Sequence, residues 1–264
     1  MKREELFEII GEVDEALLKR SESVKRKNMW VKLGTSAACA LLAVAIAVPL
    51  FGGKGERIPL PNTTDNIKVY EMKKLPSQMT TVACSYAYNY TPKEMFAQKT
   101  DIYKGEIIDC DTLRIDFGGV TEYRSVVTIK VERAYRGEIS EGETIRLLLP
   151  VGFYFSETPV YSSVTKVVEK MEVGMKGIFM TVPYDESSYA VFNGKTLMLS
   201  DIADCGMGDG ERWCFLDTGN GIAMGDMWSE EDGPFGALPY EQDAVYENTT
   251  LDAVETYVLQ MLKE

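Results

Sequence analysis

The sequence predicts a mainly β chain of the α+β class: an N-terminal amphipathic helix, one transmembrane helix, and an extracytoplasmic antiparallel β-barrel carrying a C-terminal helix. Three observations predict it. Leu33 to Gly52 is a run of 20 residues without a charge. Residues 123–135 alternate apolar and polar side chains with the period of a strand. Apolar residues recur at helical spacing near both ends, in residues 4–18 and 249–263.

Composition removes many functions before any motif is read. The 264 residues are 45% hydrophobic and 26% charged, the balance of a globular chain rather than a disordered tail or a multi-pass membrane protein. There is no histidine, so the commonest general base and every Ser/His/Asp or Cys/His catalytic set are excluded. The 28 basic and 41 acidic residues give a net charge of −13. Phosphate backbones are repelled by such a chain, and no nucleic-acid partner is expected. No catalytic residue, cofactor or metal ligand set is read. A histidine-free hydrolase built on two paired carboxylates is the enzymatic alternative.

Residues 4–18 place Leu6, Ile9, Ile10, Val13 and Leu17 on one helix face, with Glu5, Glu8, Glu12 and Glu15 mostly opposite. Acidic residues at its start and Lys19 and Arg20 at its end suit the helix dipole. A helix of this length is marginal alone in water, so the stripe calls for a partner. Its acidic polar face argues for a protein over the membrane surface, because interfacial helices carry Lys and Arg there.

The uncharged run 33–52 spans roughly 30 Å at about 1.5 Å per residue, the thickness of a bilayer core. Lys25, Arg26, Lys27 and Lys32 crowd its N-terminal side, which places residues 1–32 in the cytosol. Trp30 suits the inner interface, and Pro49, Gly52 and Gly53 mark the outer end. Residues 1–32 hold 8 basic and 7 acidic side chains, leaving 20 and 34 for the exported remainder. Cleavage after Ala45-Ile46-Ala47, lipidation at Cys39 and burial as a core helix are the competing readings. The long N-terminal segment, the apolar stretch following Cys39, and the basic flank argue against each in turn.

Residues 53–66 hold Pro59, Pro61 and Asn62 with little periodicity and read as a linker, so the exported domain is expected over 67–264. Thr91-Pro92-Lys93-Glu94 has the capping-box spacing and predicts a helix over 92–98. Strands are expected at 101–109, 112–117, 123–135 and 143–149 as a meander. Further strands at 163–173, 177–183, 189–193 and 196–200 are expected to complete the sheet. Residues 204–236 are rich in glycine and acid and read as a loop system, with carboxylates that calcium would accept but without the EF-hand spacing. Trp213 and Trp228 read as buried loop anchors, or as a ligand-facing patch. Cysteines 84, 110, 205 and 214 fall on the exported side, where Cys205 and Cys214 invite a disulfide closing a short loop unless the thiols stay reduced. Residues 249–263 are expected to form a Thr-capped helix, with Leu251, Val254, Tyr257, Val258, Met261 and Leu262 at helical spacing, that packs onto the barrel.

The stretch Ile10 to Glu22, IGEVDEALLKRSE, followed by basic residues, one span and a β-rich portion, resembles the anti-sigma-factor-like single-pass membrane proteins of clostridial Firmicutes. That resemblance implies an inner segment holding an RNA polymerase sigma factor until an outer signal releases it. The chain departs from the zinc-type members, lacking the histidine and CxxC pair they use. Residues 101–182, with Tyr103-Lys104-Gly105-Glu106-Ile107, a long strand and Tyr135-Arg136-Gly137, resemble OB-like barrels of the netrin and metalloproteinase-inhibitor type. The expected function is therefore a membrane-tethered regulator or sensor. Its cytosolic helix captures a protein partner and its outer domain binds an unidentified signal. The alternative is an extracytoplasmic binding or adhesion module held by a signal-anchor helix, without a regulatory role.

Overall fold

The computed structural model describes residues 55–72, 91–149, 167–207, 210–225, 235, 245–247 and 249–263. The amphipathic stripe of residues 4–18 and the apolar run 33–52 lie outside these residues. Among the described residues no helix is long and apolar enough to cross a membrane.

The described chain is mainly β. Its strands are β1 (Arg57–Ile58), β2 (Lys68–Glu71), β3 (Asp101–Asp116), β4 (Thr121–Arg136), β5 (Thr144–Leu148), β6 (Lys176–Pro183), β7 (Tyr189–Phe192), β8 (Lys195–Met198), β9 (Cys205–Gly206), β10 (Cys214–Asp217), β11 (Ile222–Met224) and β12 (Val245–Tyr246). Two α-helices accompany them, α1 (Pro92–Phe96) and α2 (Leu251–Met261). Ten strands form one sheet, in the order β1-β2-β3-β4-β5-β9-β6-β10-β11-β12. A further pairing joins β3 to β6. The path β3–β4–β5–β9–β6 therefore returns to its start, with every contact antiparallel except β5 with β9.

Glycine admits close backbone approach at two points of the sheet. Gly105 of β3 lies opposite Val131 of β4 and Gly177 of β6, beside a register shift after Lys104. A Cβ at position 105 would sit 2.5 Å from Ile129 Cγ2 and 2.7 Å from the Lys130 carbonyl oxygen. One at 177 would meet the Phe215 carbonyl at 2.7 Å. Glycine thus lets β4 pass close to β3 and β10 pass close to β6.

Three apolar clusters hold the sheet. The first gathers Tyr103, Ile107, Val127, Ile129, Leu147 and Phe179 from the strands of the returning path, with Leu216 of β10. The second seats α2 through Leu251, Val254 and Val258, and α1 through Met95 and Phe96, against Ile102, Ile178, Met180 and Phe215. The third packs the far half of the β3–β4 hairpin, Leu113, Ile115, Phe117 and Val126, against Leu197, Ile202 and Ala203. Both helices start as their sequences require. Thr91 Oγ1 accepts from the Glu94 amide while Glu94 accepts from the Thr91 amide, and Thr250 Oγ1 accepts from the Ala253 amide.

Several expectations are corrected. The strands expected at 101–109 and 112–117 are one 16-residue strand, because register shifts absorb the irregularity without a turn. Within 163–173, residues Val168–Lys170 form a turn of 3-10 helix rather than a strand, while 163–166 lie outside the described residues. The strands near 189–193 and 196–200 pair only with each other and form a separate two-stranded sheet. Residues 204–236 supply β9, β10 and β11 to the large sheet, since Cys214-Phe215-Leu216 and Ile222-Ala223-Met224 are short apolar runs split by a glycine turn. The stretch read as a linker is tied down from β1 onward. Asn62 donates to Asp201 Oδ1 from its amide at 3.1 Å and its side chain at 2.9 Å, and Thr63 Oγ1 donates to Asp201 Oδ2 at 2.6 Å. The amides of Thr196 and Met198 donate to Asp65 Oδ2 and Thr63 Oγ1. Side chains of the Asn62-to-Asp65 turn thus stand in for a neighbouring strand along β8.

Candidate functional site

The expected partner-binding residues Leu6, Ile9, Ile10, Val13 and Leu17 lie outside the described residues. In the folded domain, groups able to do chemistry converge at four places.

The first is internal. Tyr103, Thr181 and Cys205 face one another beneath the β3–β6 contact, with relative exposures of 0%, 0% and 2%. The Tyr103 and Thr181 hydroxyls make no aligned hydrogen bond, while the Cys205 thiol lies 3.9 Å from the Arg146 carbonyl oxygen. Burial pushes the Cys205 thiol up to about 12, with the Asp204 charge adding to it, and burial raises Tyr103 well above an ordinary tyrosine. A thiol protonated at neutral pH and shut from solvent is neither a nucleophile nor a metal ligand.

This geometry also disposes of the expected disulfide. Cys205 and Cys214 are buried free thiols. They lie opposite Pro183 and Phe179 of β6, four residues apart along that strand. At roughly 3.3 Å per residue the separation is about 13 Å, whereas a disulfide needs Cα atoms within about 7 Å. Trp213 occupies the intervening excursion and is 3% exposed, an anchor rather than a ligand platform. Trp228 lies outside the described residues.

The second place is Arg136. Its guanidinium donates from Nη1 to the Phe96 carbonyl at 2.6 Å, from Nη2 to the Gln98 carbonyl at 2.8 Å, and from Nε to the Thr100 carbonyl at 2.8 Å. Nη2 also donates to Thr100 Oγ1. The planar fork thereby collects carbonyls from the last residue of α1 and the segment that follows it, and pins them to the end of β4. An open depression of about 420 Å³ lies beside it, lined by residues including Gln98, Lys99, Asp101, Gly137 and Pro183. Of the two cations that line it, Arg136 and Lys99, Arg136 is already engaged with backbone carbonyls and the Thr100 hydroxyl.

The third place is the seat of α2. Glu255 accepts from Lys104 Nζ at 3.1 Å and from Arg133 Nη1 at 2.6 Å, and the Arg133 guanidinium stacks 5.6 Å from the centre of the Tyr135 ring. Burial opposes ionisation of Glu255. The Lys104 hydrogen bond and charge, with Tyr135 and Arg133, outweigh it and hold the carboxyl below the ordinary range. The fourth is the acidic strip around Cys110. Burial pushes that thiol up to about 12, with help from Asp109, Asp111 and Glu172, and burial raises Asp111, reinforced by Asp109 and Glu71. Among the described residues no group of three or more Cys, Asp or Glu side chains is arranged to hold a metal ion. Of the acidic residues in 204–236, Asp217 caps a turn by accepting from the Gly219 amide at 2.9 Å, and Asp209, Asp226 and Glu230 to Asp232 lie outside the described residues.

Sequence reading missed the Arg136 fork and the Asp201 staple. Both join residues far apart in the chain, and only the run Arg136-Gly137 hinted at the first. The described residues present latches and cores rather than a catalytic constellation. No family model, curated protein or solved structure matches this chain.

Proposed function

We propose that the chain is a membrane-tethered sensor or regulator. Residues 33–52 cross the bilayer, residues 4–18 capture a cytosolic protein, a sigma factor being the candidate the sequence resemblance favours, and the β domain receives the signal outside. The observation that carries this reading is a 20-residue uncharged run with a basic inner flank. After it, β1 begins at Arg57, five positions beyond Gly52, and is hydrogen-bonded into the large sheet. So short a connector couples the domain to the span. A surface-display module gains more from a long flexible stalk.

The outer domain is an OB-type barrel in this reading. Support comes from its five-strand returning path, in which β5 and β9, the third and fifth of these strands in chain order, are in parallel contact. Its ligand is not a nucleic acid, since the exported part carries 34 acidic against 20 basic residues.

The test is affinity capture with full-length chain in detergent, comparing the native sequence with an Ile9→Asp, Val13→Asp variant. A specific cytosolic protein retained by the native chain and lost from the variant supports regulation. Absence of any stripe-dependent partner favours the binding or adhesion module. Recovery of the chain from the soluble fraction without detergent overturns both.

A further inference from the structure

One sheet face is locally basic in a chain of net charge −13. Arg57, Tyr70, Arg114 and Tyr123 lie directly opposite one another on β1, β2, β3 and β4. Side chains in register across neighbouring strands share a face, so this is one row of alternating cations and phenols. The Arg114 guanidinium lies 5.9 Å from the centre of the Tyr70 ring. In the next row on the same face, Lys68 lies opposite Asp116 and Thr121. Asp116 is the one acid in the two rows and accepts the Gly118 amide at 2.8 Å in the hairpin turn. Arg57 and Lys68 are exposed, and Tyr70, Arg114 and Tyr123 are half-buried. The opposite face carries Val69, Leu113 and Ile115, all at 1% exposure or less, so the strands cannot turn over.

We infer that this row docks on the anionic headgroups of the bilayer that carries residues 33–52; the inference rests on the membrane reading above. Two observations choose that occupant. Arg57 lies five positions beyond Gly52, and at about 3.6 Å per residue that leash is at most roughly 18 Å, which keeps the exposed edge strand close to the membrane surface. The two rows carry three cations against one acid, in an exported portion with 14 more acids than bases (34 − 20). Repulsion of the body from an anionic surface leaves this face as the favoured one. Arginine and lysine pair with lipid phosphates, and tyrosine rings suit the headgroup layer. Each cation near an anionic leaflet weights the docked state about fivefold.

The test uses the full-length chain in vesicles of phosphatidylcholine alone or of equal parts phosphatidylcholine and phosphatidylglycerol. Co-flotation with both is checked first. Amine-reactive labelling is then read by mass spectrometry at Lys68, with exposed Lys130 of β4 as the internal reference. Lys68 labelling is expected to fall at least about fivefold relative to Lys130 in the anionic vesicles only, and to recover in Arg57→Glu and at high salt. Equal Lys68 labelling in the two vesicles, or equal protection of Lys68 and Lys130, overturns docking while co-flotation preserves the span. Failure to co-float overturns the span and docking with it.

Discussion

Replacing Arg136 with methionine keeps the length and much of the stem of the side chain but removes four hydrogen bonds. The acceptors are the carbonyl oxygens of Phe96, Gln98 and Thr100 and the Thr100 hydroxyl. Bonds from a charged donor contribute about 1.5–3 kcal/mol each when fully buried. The guanidinium here is only part-buried, and water can re-solvate the freed carbonyls, so the sum is reduced to about 2–4 kcal/mol. For a domain of roughly 200 residues, about 3 kcal/mol corresponds to a fall in melting temperature of about 6–12 °C. Lysine restores charge but not the fork, and Arg136→Lys should recover less than half of the loss. The assay is thermal unfolding of the full-length chain in detergent, joined to hydrogen exchange at the Ala97 and Gln98 amides. Those amides donate to Lys93 and Met95 at the end of α1. Their exchange should accelerate in the variant before the sheet opens, because the fork pins that end alone. A double-mutant cycle with Thr100→Val should return a coupling of about 1–3 kcal/mol. Melting within about 1 °C of the native chain, with unchanged exchange past α1, would refute the assignment of Arg136 as the latch.

Gly105→Ala should destabilise by about 2–3 kcal/mol, since the added methyl meets the Lys130 backbone oxygen and Ile129 at once; denaturant unfolding with no loss of stability would count against close packing of β3 on β4. Tyr103→Phe should be neutral or stabilising by up to about 1 kcal/mol, because its buried hydroxyl makes no aligned hydrogen bond; a clear fall in the unfolding midpoint would mean that the hydroxyl is bonded. Glu255 has a folded-state pKa below its ordinary 4.5, so its contribution is complete above that value and is lost as pH falls through the depressed one. The native chain should therefore melt higher than Glu255→Gln at neutral pH, with the gap closing under acid; a gap independent of pH would contradict the ion-pair account of α2 docking.

Much of the fold is legible because its signals are local. Thr91 with Glu94, and Thr250 before Leu251, announce helix starts through bonds spanning three residues. The alternation in residues 123–135 marks β4 because a strand with one buried face must repeat every second residue. The misreadings concern pairing. Glycine and acid in 204–236 suggested loops, yet Phe215 and Leu216 become strand through ladders with Ile178 and Gly177, some 38 residues earlier. Likewise Asn62 and Thr63 look like linker until Asp201 is brought beside them.

Sequence alone determined the uncharged run with its basic flank, the charge asymmetry across it, the absence of histidine chemistry, the mainly β character and both capped helices. Each depends on residue identity or on short-range periodicity. Tertiary structure alone decided that β3 serves both β4 and β6 to close the returning path, and that Cys205 and Cys214 stand too far apart to join. It also decided that Arg136 is consumed as a latch, and that arginine and tyrosine from four strands fall into one row. Those outcomes depend on register between distant segments, and register is fixed only when the buried faces of all the paired strands are satisfied together.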